Sequence, residues 1–229
     1  MPSNNNSIIL PPQMIVVNRS GGTGTDNNQQ DDELECSVHT LPKPLLREFG
    51  HVFGEKYLTD DISAAKVASG DDDDDAMEED PPTSTTQSQQ QNQNLELIAI
   101  PTNQRARRDL VAVGDDVEEE KDRLLNVFLD FGSNLCNLIR TKLGYWADYI
   151  DPCSGLPMLT KDCNKVYSEV DGMECLLNYR AHSAGFCKIL THPKWGSAVY
   201  PATIFVYGNR NSIIQLLHDH YPPTKGGQQ

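Results

Sequence analysis

The chain has 229 residues, is 38% hydrophobic and 7% aromatic, and carries a formal net charge of −14. Apolar content that thin suits one folded part of ordinary domain size with long polar segments, not a chain packed throughout. The charge is concentrated between Asp60 and Asp80, where ten carboxylates face the single Lys66; the one cationic cluster, Arg105, Arg107 and Arg108, is too small to supply the basic face that nucleic-acid binding requires.

In chain order, residues 1–33 are rich in Asn, Ser, Gly and Gln without apolar periodicity and are expected to form a disordered tail. They show neither the positive start nor the apolar run of a signal peptide or a membrane span. A first ordered segment is expected over 34–59: Pro44 suits the first turn of a helix, and Leu45, Leu46, Phe49 and Phe53 recur at helical spacing. The acidic run then passes into a Gln-rich stretch, and 60–94 reads as a flexible insert whose loop-closure cost grows only slowly with its length.

An α+β domain is expected over 95–221, followed by a tail at 222–229. LELIAIPT reads as a strand, with Val111–Ala112–Val113 returning beside it as a hairpin. Asp115 and Glu118 give a capping-box-like helix start, and Leu124, Phe128, Phe131, Leu135 and Leu138 step along one helical stripe toward a stop at Gly144. YWADYI reads as a strand closed by an Asp151–Pro152 turn and Gly155, while 156–184 give little periodic signal. FCKILT is a short strand and HPKWG a connector. VYPATIFVY is a further strand whose Pro201 implies an edge or a bulge. Asn209 or Asn211 caps a last helix through Ile213, Ile214, Leu216 and Leu217. Short connections between strands favour a mainly antiparallel sheet with a long packing helix.

Nucleotide-binding glycine loops and the G-x-S-x-G elbow are missing from the sequence. The six cysteines, 36, 136, 153, 163, 175 and 187, include no C-x-x-C pair, which argues against structural zinc and favours reduced thiols in an intracellular compartment. His218 and His220 are two apart on a helix and point to different faces, unlike a metal pair. Asp151 is a turn-former before proline, and Asp148 takes a solvent-facing or capping role. Trp146 and Trp195 serve equally as interface anchors or core residues. Cys187 lies beside Lys188, whose ammonium would lower a thiol's pKa, and a thiolate is a soft metal ligand; a small buried strand residue is the plainer account.

The segments GYWADYIDPCSGL and GFCKILTHPKWGSAVYPATIFVYGN resemble the cobalamin-trafficking protein CblD family (methylmalonic aciduria and homocystinuria type D protein), and ECSVHTLPKPLLREFGHVF and the stretch from Leu95 through the long helix fit the family's order. The resemblance covers about 35–58 and 95–220. It implies a nitroreductase-like α+β fold without a flavin site, and an adaptor with no catalysis of its own. Such a protein binds no cofactor alone. It docks onto a CblC-type cobalamin-processing protein and directs cobalamin to methionine synthase in the cytoplasm and methylmalonyl-CoA mutase in the mitochondrion. The family's pattern after the glycine is Cys-Cys-Lys, its first cysteine being the implied cobalt ligand; here Gly185, Phe186, Cys187 and Lys188 stand there. Either a bulge re-aims Cys187, or transfer proceeds without that bond, or another thiol serves. The competing reading is a flavin- or thiol-dependent reductase of nitroreductase type, for which Arg105, Arg107 and Arg108 are poorly placed as phosphate donors.

Overall fold

The computed structural model describes residues 8–17, 32–54, 95–185 and 187–224. The insert at 60–94 and most of the N-terminal tail therefore lie outside the described residues. Seven strands and four α-helices are described: β1 (Ile8–Val17), β2 (Asp32–Thr40), α1 (Lys43–Phe53), β3 (Glu96–Arg105), α2 (Asp115–Leu138), β4 (Trp146–Tyr149), α3 (Glu169–Leu177), β5 (Arg180–Ala184), β6 (Cys187–Thr191), β7 (Val199–Gly208) and α4 (Arg210–His220). The fold is mixed α+β. Five strands form one antiparallel sheet in the order β1-β2-β3-β7-β4, and β5 and β6 pair with each other as a separate two-stranded sheet.

Alternation along the strands divides the five-stranded sheet into two faces. Leu34, Cys36 and Val38 of β2, Ile98 and Ile100 of β3 and Ile204 and Val206 of β7 meet Phe128, Phe131 and Leu135 of α2 and Ile213 and Leu217 of α4. The α2 stripe that the spacing predicts is thus the core of this face, and each fully buried aromatic ring contributes about 1.5–3 kcal/mol. A π-helical turn, Ile139–Leu143, continues α2, and Gly144 at φ 64° ends it, as expected. On the opposite face, Ala99 and Phe205 meet α1 through Leu45, Phe49 and Phe53 and the α3 segment through Tyr167 and Leu176. A third cluster, Met173, Tyr179, Leu190 and Val199, fastens the small sheet under α3.

Several expectations are corrected. Residues 8–17, expected to be disordered, form edge strand β1; Pro11 and Pro12 fall where its register against β2 shifts, so their missing N–H groups break no regular ladder. The C-terminal tail is bound at its start, since Thr224 N donates to Met14 O (2.9 Å) and Pro223 bridges Ile15. Residues 34–40, placed in a helical segment, are a strand that pairs with β3 in the same sheet. Val111 and Val113 form no hairpin: β3 is already paired on both sides, and Val113 is fully exposed in the turn before α2. The α2 N-cap is Gly114 with no side-chain cap, and Asp115 is the first helical residue. The stretch 156–184 holds α3 and β5. Pro201 lies in a central strand, yet β4 reaches only Ile204 of β7, so the flank beside Pro201 lies beyond the last β4 partner.

Candidate functional site

Asn209 caps α4 by accepting from Ser212 N (3.1 Å), and Ser168 caps α3 by accepting from Asp171 N. From α3 the chain turns at Asn178 (φ 55°) into Tyr179 and then β5. The β5–β6 register runs without a shift from Arg180↔Thr191 to Ala184↔Cys187. That leaves Gly185, at φ 63°, and position 186, outside the described residues, between the strands. A two-residue connection needs a positive φ, which glycine supplies without strain. Cys187 opens β6 opposite Ala184. Four of the five β5 residues are exposed: Arg180, His182, Ser183 and Ala184. Among the described residues β5 and β6 pair only with each other, so each leaves an outer edge of backbone donors and acceptors.

The root of this hairpin is polar and buried. Glu35 of β2 points to the side of the sheet opposite Leu34 and Cys36. Its Oε1 accepts from Tyr179 Oη at 2.9 Å and lies 3.2 Å from His192 Nε2. Tyr179 immediately precedes β5, and His192 immediately follows β6. The other ring nitrogen of His192, Nδ1, accepts from Lys194 N (3.1 Å) and Trp195 N (3.2 Å), so the neutral ring carries its proton on Nε2, directed at Glu35. His192 closes the following turn through His192 N to Gly196 O (2.9 Å) and the return bond (3.0 Å), with Gly196 at φ 60°. Trp195 stacks on the imidazole at 3.9 Å and Tyr179 meets it edge-on at 5.0 Å. Burial pushes the Glu35 carboxyl up, but the hydrogen bonds from His192 and Tyr179 outweigh it and hold it below the ordinary value. Burial and the neighbouring Glu35 push the Tyr179 hydroxyl well up.

The residues that the sequence singles out are scattered around this cluster. Lys188 is engaged by Asp171, with Glu174 at 3.9 Å, so its ammonium belongs to the acids of α3. Cys36 and Cys136 are buried in the core, and burial pushes both thiols up, Cys36 to about 12. Cys153 is exposed. His218 and His220 are exposed on α4, His220 Nε2 lying 2.9 Å from Lys142 Nζ. Among the described residues no three His, Cys, Asp or Glu side chains stand close enough to hold a metal. No described helix is long and apolar enough to cross a membrane. Asp151 is the turn-former expected, accepting from Cys153 N and Ser154 Oγ. Asp148 is not solvent-facing: it is fully buried and accepts from Tyr149 N (2.7 Å), Leu159 N (2.9 Å) and Thr160 N (2.7 Å). Trp146 meets the rings of Phe49 and Phe53 edge-on and belongs to the core. Glu35, Tyr179 and His192 escaped the sequence reading, because an acid alternating with Leu34, Cys36 and Val38 reads as the solvated face of a strand, whereas Glu35 is buried at 7% exposure.

The model of the family described as methylmalonic aciduria and homocystinuria type D protein matches residues 82–216. Proteins named cobalamin trafficking protein CblD are similar to this chain. The one from Rattus norvegicus is 31% identical over 121 residues, 53% of this chain and 40% of that protein. The one from Homo sapiens is 26% identical over 181 residues, 79% of this chain and 49% of that protein. The matches thus span less than half the length of these relatives, and Glu35 lies upstream of the family match.

Proposed function

The chain belongs to the methylmalonic aciduria and homocystinuria type D protein family, and from that premise we propose that it is a non-catalytic adaptor of cobalamin trafficking. In this reading it binds a CblC-type cobalamin-processing protein and directs that partner's cobalamin toward methionine synthase in the cytoplasm and methylmalonyl-CoA mutase in the mitochondrion. The observation that supports it is the β5–β6 hairpin. It carries Cys187 at the start of β6, stands outside the main sheet, and presents exposed residues along β5. Unpaired strand edges are surfaces on which a partner strand adds by main-chain hydrogen bonds. Cys187, at the tip-proximal end of β6, is the thiol this reading offers to the partner's cobalt, since thiolates are soft ligands. Cys36 and Cys136 are enclosed in the core.

The test mixes the full chain, under reducing conditions, with a cobalamin-loaded CblC-type protein. Co-elution is expected, together with a visible spectrum that changes on mixing and reverts in Cys187→Ser. Failure to associate would remove the adaptor reading. A purified chain that carries flavin absorbance would replace it with the reductase. Association with an unchanged spectrum in both forms would remove only the Cys187 ligand.

A further inference from the structure

The hairpin has two roots, and one oxygen atom holds both. Tyr179, the residue before β5, donates to Glu35 Oε1 at 2.9 Å, and His192, the residue after β6, places Nε2 at 3.2 Å from the same oxygen. Glu35 lies on β2, next to β3 in the middle of the five-stranded sheet. These bonds span 144 and 157 residues of sequence, and they tie the small sheet to the large one by a route separate from the apolar contacts beneath α3. A two-stranded sheet has little stability of its own, so its direction depends on what grips its base. Among the described residues the grip also includes the cluster of Met173, Leu190, Val199 and Tyr179 itself, with Lys188 engaged by Asp171 at the outer side.

The choice of a carboxylate matters. The position is buried, with Glu35 at 7% exposure, and its neighbours Leu34 and Cys36 turn to the opposite core. An apolar residue would fill the space without the desolvation cost of a charge. An apolar residue would also give a non-directional contact, whereas a carboxylate oxygen taking two directed donors fixes both roots relative to β2. His192 is itself oriented from behind, because its Nδ1 is occupied by Lys194 N and Trp195 N and its ring by the Trp195 stack.

We propose that Glu35 is the positioning residue of the β5–β6 hairpin, a clamp from the N-terminal segment that sets the direction in which the hairpin meets its partner. The role of the hairpin in docking rests on the adaptor reading above; the clamp itself does not. Amide exchange in the full chain tests it without a partner. Tyr179→Phe keeps the ring in its apolar cluster and removes one of the two donors, and Glu35→Gln keeps an acceptor while removing the charge. In both variants the amides of residues 180–191 should exchange about ten- to a hundredfold faster, while those of β3 and β7 keep their wild-type rates. Glu35→Ala should loosen the hairpin further, and the Gln variant should stand between it and wild type. Association with the cobalamin-loaded CblC-type protein should weaken in the same order.

Hairpin amides unchanged in Tyr179→Phe and Glu35→Gln would overturn the clamp, as would a uniform rise across the whole sheet, which marks general destabilisation. A loosened hairpin with unaltered association would overturn its role in presenting the turn. A wild-type chain that does not associate at all would sink the adaptor reading while exchange still decides the clamp.

Discussion

Two buried groups on the α3 side of the sheet set opposite pH dependences, and their overlap makes a prediction. Glu169 accepts from Thr203 Oγ1 through Oε2 (2.6 Å), its Oε1 has no partner or solvent access, and burial pushes its pKa from 4.5 up to about 8. His39 is buried beside Ser37, and burial pulls its pKa from 6.5 down to about 4. Between 4.5 and 8 the folded chain keeps the Glu169 proton that the unfolded chain has lost, so stability falls with rising pH at about 1.4 kcal/mol per unit. Between 4 and 6.5 the unfolded chain holds a proton on His39 that the folded chain rejects, so stability rises with pH at the same rate. The two slopes cancel from 4.5 to 6.5, and only the fall remains from 6.5 to 8. The expected loss over that last interval is roughly 2 kcal/mol, or about 4–8 °C in Tm for a folded part of this size. Among the described residues the acids held low, Glu35, Asp109, Glu120 and Asp171, titrate beneath this window, and the raised thiols and phenols titrate above it. Thermal unfolding of the full chain, followed by circular dichroism at half-unit steps, should show a plateau and then the descent. Glu169→Gln should remove the descent and uncover a rise between pH 4 and 6.5. A wild-type curve flat from 6.5 to 8, or a descent that survives in Glu169→Gln, would refute the reasoning.

Asp148→Asn should destabilise by about 1.5–3 kcal/mol in urea unfolding, because an amide keeps one accepting oxygen but turns an N–H₂ toward a backbone N–H that the carboxylate had satisfied; a variant as stable as wild type would mean that the three bonds carry no net weight. Gly208→Ala would place a Cβ 2.4 Å from the Tyr145 ring, inside contact distance. The ring must move, and a loss of about 1–3 kcal/mol is expected with no change in association. An unaltered denaturation midpoint would show that the ring yields freely.

Where the periodicity was long, the fold was legible. Five apolar residues in register over four turns read as a buried helical stripe; Phe128, Phe131 and Leu135 are that core, and Leu124 is buried as well. Where a local rule met a tertiary exception, it was not. Pro11–Pro12 argues against a strand, yet an edge with a broken register accepts both. The nine residues of α3 are short for a periodic signal, although Ser168 followed by Asp171 is a start signal that the sequence displays. The chemistry of Cys187 and Lys188 looked like one unit because the two are adjacent. In the fold, Lys188 is drawn to Asp171 and Glu174 on another element, and only tertiary placement decides that.

The residues that make the family resemblance specific are largely consumed by the scaffold. Tyr145 lies against Gly208, Trp146 against Phe49 and Phe53, and Tyr149 against Gly132; Asp148 pins 159–160, Asp151 builds its turn, and Gly155 at φ 71° lies against Tyr167 O. Replacing any of these tests folding before it tests function. The hairpin differs, since the side chains of β5 are exposed and little of their identity is spent on packing. A surface whose shape is held from its base by Glu35, Tyr179 and His192 can change sequence at its tip without losing its direction. On this reasoning, docking should survive changes at the tip and fail on changes at the root, whereas a protein whose function lay in one indispensable thiol would show the reverse.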